Sequence, residues 1–220
     1  MIDPSDPDYV ETKSVKQGKR ALTPLFRDLA NWISVRYPGV SVLNIYYDEL
    51  IDPPLPRLSV IFEWEREAEL FRDVDGNFNA VKQAAIAAKF AALVNDHRER
   101  SFNTNGLLVV FTAFEPVARL NAIWSISAEQ LVQWQRNLND PTIWKIREVG
   151  SGVGIFFYTD AQLKNLGEDL KAKWSNAYAE MISAHDDFGY FRREPAQVIF
   201  DSKENFEREY QGNWFNYDRR

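Results

Sequence analysis

Apolar residues along the chain change period in a set order, and that order limits the available folds more than any other feature. Leu25, Leu29, Trp32 and Ile33 recur at helical spacing behind Thr23-Pro24. A threonine there accepts from an orphan backbone N–H, and a proline suits the first helical position. Residues 40–47 read as a mostly buried strand. The next strand alternates, with Leu58, Val60, Phe62 and Trp64 on one face and Arg57, Ser59, Glu63 and Glu65 on the other. An Ala-rich helix over 79–97 follows, then a buried strand over 107–114 and a further strand over 120–126. Ser127 with Gln130 and Thr159 with Gln162 have capping-box spacing. The first box opens a helix that stops at Asp140-Pro141, and the second opens one that runs to about His185 with a break at Gly167. Strands over 143–149 and 153–158 form a hairpin around Gly150-Ser-Gly152. A short strand over 197–200 and a helix over 202–210 complete the order.

Six of these strands and their helices spell α-β-β-α-β twice. The fold expected is α+β: one mixed or antiparallel sheet of about seven strands covered by four or five helices, with a tandem αββαβ pseudo-repeat as the organising device. Ile86, Phe90, Leu93 and His97 share a rhythm with Trp174, Tyr178, Met181 and His185, although any amphipathic helix has that rhythm. A polar, proline-punctuated opening over 1–19 reads as a flexible arm. Residues 20–220 read as a single compact domain, with halves at 20–126 and 127–210 and an aromatic tail over 211–220.

Composition removes several chemistries. The chain has no cysteine, which excludes disulfides, thiolate metal sites and cysteine nucleophiles. A net charge of −6 opposes nonspecific attraction to a polyphosphate. The basic cluster Lys13, Lys16, Lys19 and Arg20 follows Asp3, Asp6, Asp8 and Glu11, which cancel it, so no nucleic-acid partner is expected. No apolar run approaches the ~20 residues needed to span a bilayer, and the N-terminus lacks a secretory pattern. The reading is a soluble, cytoplasmic protein without a membrane partner, although the lack of cysteine suits the periplasm equally.

Motif by motif, the bland reading outweighs the catalytic one. Asp73-Val-Asp75-Gly76-Asn77 opens like a calcium loop, but its glycine is fourth, and the position of the bidentate glutamate holds Ala84. It reads as a turn, and no metal or cofactor is expected. Gly150-Ser-Gly-Val-Gly154 lacks both the P-loop ending and the dinucleotide spacing, and neither G-x-S-x-G nor H-E-x-x-H occurs. The two histidines, His97 and His185, stand beside Asp96 and Asp186. A histidine in a last helical turn is favoured by the helix dipole, while an imidazole oriented by a carboxylate is a general base.

Two functional readings remain. In the leading one, Glu63, Glu65, Glu67, Glu69, Asp73 and Asp75 form an acidic surface, with six acidic and two basic side chains in thirteen residues. Such a surface attracts a basic protein partner from a distance, and the chain would be a non-catalytic binding protein, for instance an immunity-type inhibitor of a toxic nuclease. In the alternative, His97/Asp96 or His185/Asp186 serves as the acid–base pair of a small-molecule enzyme. Trp214, Phe215 and Tyr217 make the end of the chain strongly aromatic, either docked on the body or presented as an anchor, which includes packing across a subunit boundary.

Overall fold

The computed structural model describes residues 3–51, 54–99, 101–192 and 194–219. By contact density the chain divides into two compact units, Met1–Val117 and Ala118–Arg220.

In the first unit, α1 (Pro7–Lys16) and α2 (Pro24–Arg36) precede strands β1 (Val42–Ile51) and β2 (Pro54–Phe62). The short α3 (Glu65–Glu69) and the long α4 (Ala80–Asp96) lead to β3 (Leu108–Ala113). β1 pairs antiparallel with β2, and β2 pairs parallel with β3. Strand parity assigns the two faces. Ile45, Leu58, Val60, Phe62, Val109 and Phe111 form the core with Leu29 and Ile33 of α2 and Ile86 and Phe90 of α4. Asn44, Tyr46, Asp48, Arg57 and Ser59 point to the opposite face, where α1 packs.

The unit boundary falls within α5 (Phe114–Trp124). In the second unit come α6 (Ala128–Leu138), β4 (Ile143–Val149), β5 (Gly152–Phe157), α7 (Asp160–Lys164), α8 (Glu168–Ser183) and a 3-10 turn at Tyr190–Arg192. They are followed by β6 (Gln197–Ser202), α9 (Lys203–Tyr210) and α10 (Trp214–Tyr217). The pairing repeats that of the first unit: β4 antiparallel to β5, and β5 parallel to β6. Here both sheet faces are covered by apolar groups. Trp134 of α6 and Trp174, Tyr178 and Ile182 of α8 pack on Ile146, Val153, Ile155 and Phe157. Phe206 of α9 and Trp214 and Tyr217 of α10 pack on Trp144, Val149 and Phe156.

The single sheet of about seven strands is therefore corrected. Among the described residues there are two separate three-stranded sheets and ten α-helices. The segment expected as a strand over 120–126 lies largely in α5, because Phe114, Val117, Ala118, Ala122 and Ile123 are buried at intervals of three and four. That is helical spacing. Pro116 falls in the first turn, where its missing N–H costs nothing.

The opening read as an arm carries α1, with Tyr9 and Thr12 buried and Tyr9 stacked on Phe114 at 5.2 Å. The glycine-rich hairpin has a steric explanation. Gly150 turns at φ +55°, a Cβ on Gly152 would meet the Gln197 carbonyl oxygen at 2.0 Å, and one on Gly154 would meet the Phe156 ring at 2.5 Å. Only glycine fits at either position, against the β6 backbone at Gly152 and under the Phe156 ring at Gly154.

Candidate functional site

The segment between β2 and α4 is held by its backbone before any side chain is considered. Phe71 is fully buried, stacks on Phe62 at 4.8 Å and packs tilted against Phe111 at 4.6 Å. From that anchor the chain reverses. Arg72 bridges Phe78, the Asp73 N–H donates to the Asn77 carbonyl at 2.7 Å, and Gly76, at φ +78°, donates to the Asp73 carbonyl at 2.8 Å. Asn79 closes the loop, donating its backbone N–H to the Phe71 carbonyl and its side-chain amide to Asp73 Oδ1 at 2.6 Å. The same side chain caps α4 by accepting from the Lys82 N–H at 3.0 Å. The Lys82 ammonium donates to the Leu70 carbonyl. The result is a braced turn with Val74 fully exposed and Leu70 half exposed.

The structure separates the six carboxylates of this segment. Glu67 is 7% exposed. Its Oε1 accepts from the Ser41 N–H and its Oε2 from the Trp64 N–H, each at 3.0 Å, so it fastens α3 to the start of β1. Glu63 is ion-paired with Lys16 at 2.8 Å. Glu65, Glu69, Asp73 and Asp75 are exposed. Glu67 therefore belongs to the interior: one of its two donors, the Trp64 N–H, is local, but the other, the Ser41 N–H, lies 26 residues away, where no local pattern reveals it.

Neither histidine meets its sequence neighbour. His97 caps the C-terminus of α4 and its Nε2 lies 2.9 Å from Asp28 Oδ2 on α2, while Asp96 is exposed. Asp186 accepts the backbone N–H groups of Tyr190 and Phe191 at 3.0 and 2.9 Å and so caps the 3-10 turn. His185 is half-buried beyond the C-cap of α8. Shallow surfaces on α6, around Gln130, Val132 and Arg136, and on α8, around Lys173 and Asn176, include neither imidazole. Among the described residues, no group of three or more metal-ligating side chains occurs, and no helix is long and apolar enough to cross a membrane.

The end of the chain docks on its own unit. Tyr217 is fully buried, and its hydroxyl donates to Asp201 Oδ2 at 2.6 Å. Trp214 lies flat on Phe206 at 3.9 Å, and Phe215 remains 60% exposed.

Two groupings escape sequence inspection. In the first unit the Asp48 carboxylate holds Arg57 through two bonds at 2.9 and 2.6 Å. Asn44 donates to Thr12 at 3.0 Å, joining α1 to the sheet. Asp8 is buried on that side of α1, and its carboxyl is pushed above the usual range by burial, with Asp6 and Asp48 adding to the effect and the Tyr9 N–H and Arg57 opposing it. Burial likewise raises Tyr46. The signal available was the polar alternation Asn44, Tyr46, Asp48 in β1, which marks a sheet face that is not core. The second grouping, in the second unit, sets cations over the aromatic layer: Arg147 and Lys145 over Trp214 at 4.2 and 5.4 Å, Lys203 over Trp144 at 5.5 Å and Arg219 over Phe215 at 4.0 Å. The chain matches no protein-family model, no curated protein and no solved structure.

Proposed function

We propose that the chain is a non-catalytic binding protein that meets a basic protein partner with the braced turn between α3 and α4. The observation that carries this reading is the pairing of rigidity with exposure. The turn is anchored through Phe71 and cross-braced at both ends, yet it holds Val74 and Leu70 out in solvent among Glu65, Glu69 and Asp75. Exposure alone is ordinary, since Val35, Ile51 and Val81 are exposed as well, but two apolar side chains held close together on a braced turn form a small patch that serves as an anchor at an interface. A loop already fixed in shape loses little entropy on binding. The surrounding carboxylates steer a cationic partner and disfavour acidic ones. An immunity-type inhibitor of a basic nuclease is one instance of such a pairing.

Charge reversal at Glu65, Glu69 and Asp75, three of the four exposed carboxylates, tests the reading without touching Glu67, Glu63 or the Asp73 that braces the turn. Immobilised wild-type chain captures a basic protein from extract of its native cell at low salt, and the captured protein, once purified, binds with a salt-sensitive affinity. The Glu65→Lys, Glu69→Lys, Asp75→Lys triple variant, folded by circular dichroism, loses that binding. Wild-type affinity in the triple variant refutes the proposal.

A further inference from the structure

Resting on that reading of the turn, we propose that its basic counterpart, when no other partner is present, is the cation–aromatic face of a second copy of this chain. That face is built on β4, α9 and α10. Trp214 is half-buried with Lys145 and Arg147 over its ring, and next to it Phe215 stands 60% exposed with the Arg219 guanidinium 4.0 Å from its centre. Arg147 is already held by Asp218 at 2.9 Å, and Lys203 by Glu207 at 3.4 Å. Lys145 and Arg219 are both exposed and make no ion pair among the described residues. In a chain of net charge −6, two exposed cations with no ion pair among the described residues, one over half-buried Trp214 and one over exposed Phe215, are a protein-binding composition, since arginine and aromatic residues concentrate at interface centres.

The geometry disfavours a nucleic-acid occupant. A phosphate backbone is followed by a track of free cations, and here two of the four cations are neutralised by their own carboxylates. The complement that the molecule itself displays is the turn, where Leu70 and Val74 project among Glu69, Asp73 and Asp75. Apolar side chain meets exposed ring, and carboxylate meets ammonium and guanidinium. Both surfaces are exposed within one chain, so each is available to a neighbouring copy. The two patches differ, so the contact is heterologous and runs head to tail.

Sedimentation of the full chain decides the matter. Wild-type mass is expected to rise above the 25.6 kDa of one chain as concentration increases at low ionic strength, and to return to it near ~0.5 M salt, where exposed charges are screened. Glu69→Lys with Asp75→Lys destroys the turn's charge and keeps the face. Lys145→Glu with Arg219→Glu does the reverse. Each variant alone stays a single chain, their mixture assembles as the wild type does because every turn then meets a face of opposite charge on the other variant, and one chain carrying all four reversals assembles again. A wild-type chain that stays single at low salt, or a mixture that does not pair, overturns the proposal. So does binding of a glutamate-rich peptide that depends on Lys145 and Arg219 while the mixture remains single. If the chain stays single but still captures a basic protein through Glu65, Glu69 and Asp75, only the homotypic pairing falls. Capture by the triple variant overturns the reading beneath it.

Discussion

Replacing Tyr217 with phenylalanine removes one hydroxyl and keeps the ring. Tyr217 is fully buried, and its Oη lies 2.6 Å from Asp201 Oδ2. Asp201 is itself 6% exposed, with Oδ1 accepting from Asn205 Nδ2 at 2.9 Å and from the Ser202 N–H at 2.7 Å. A hydrogen bond to a buried charged acceptor contributes about 1.5–3 kcal/mol net, because water cannot replace the lost donor. The ring left by the substitution would keep its edge contacts with Phe156 at 5.3 Å and Tyr210 at 4.8 Å, so little packing is lost. Converted for a chain of this length, Tyr217→Phe lowers Tm by about 3–12 °C. Urea unfolding followed by tryptophan fluorescence reads the change directly, since Trp144 and Trp214 lie in the same layer. Adding Asp201→Ala completes a double-mutant cycle with a coupling energy of at least about 1 kcal/mol. A loss under about 0.5 kcal/mol for Tyr217→Phe refutes the claim that this bond pins the chain's end to the sheet.

Two further predictions separate buried from exposed carboxylates. Glu67→Ala strands the N–H groups of Ser41 and Trp64 and costs about 2–4 kcal/mol, whereas Glu65→Ala, on an exposed side chain, stays within about 0.5 kcal/mol. Equal effects in parallel urea titrations would refute the division. Asp8 supplies the pH dependence. Burial raises its folded-state pKa, so the folded chain holds this proton more tightly than the unfolded one, and stability falls as pH rises from the ordinary carboxylate range through the raised value. Asp8→Asn escapes that penalty. Its Tm exceeds that of wild type at pH 7, and the difference shrinks toward zero in acid below the ordinary range. A difference that does not vary with pH excludes Asp8 as its source.

Much of the site was hidden from sequence for one reason, which is that the deciding contacts are long-range. Six carboxylates crowd the segment 63–75, and apart from the Trp64 N–H that Glu67 accepts three residues back, the contacts that separate them are distant. Glu67 is withdrawn by a donor 26 residues away, and Glu63 is paired across 47. The His97–Asp28 contact spans 69 residues, so the adjacent Asp96 was a misleading partner. The turn itself was legible, because Asp-Gly-Asn favours reversal through aspartate self-bonding and glycine at positive φ.

What the sequence settled by itself is local. Thr23, Ser127 and Thr159 cap the helices that follow them, because a side-chain oxygen and an orphan N–H two or three residues on are all a cap requires. The alternation in β2 likewise places Leu58, Val60 and Phe62 on the core face. Only the tertiary structure decided that the strands form two sheets and that the stretch after β3 coils. Burial at intervals of three and four becomes visible there only once there is a core to be buried in. It alone brought the aromatic end down onto β4 and β5, leaving Phe215 in solvent, as it left Val74 on its turn. Hydrophobicity says which side chains seek cover, and the number of covering surfaces says which of them find it.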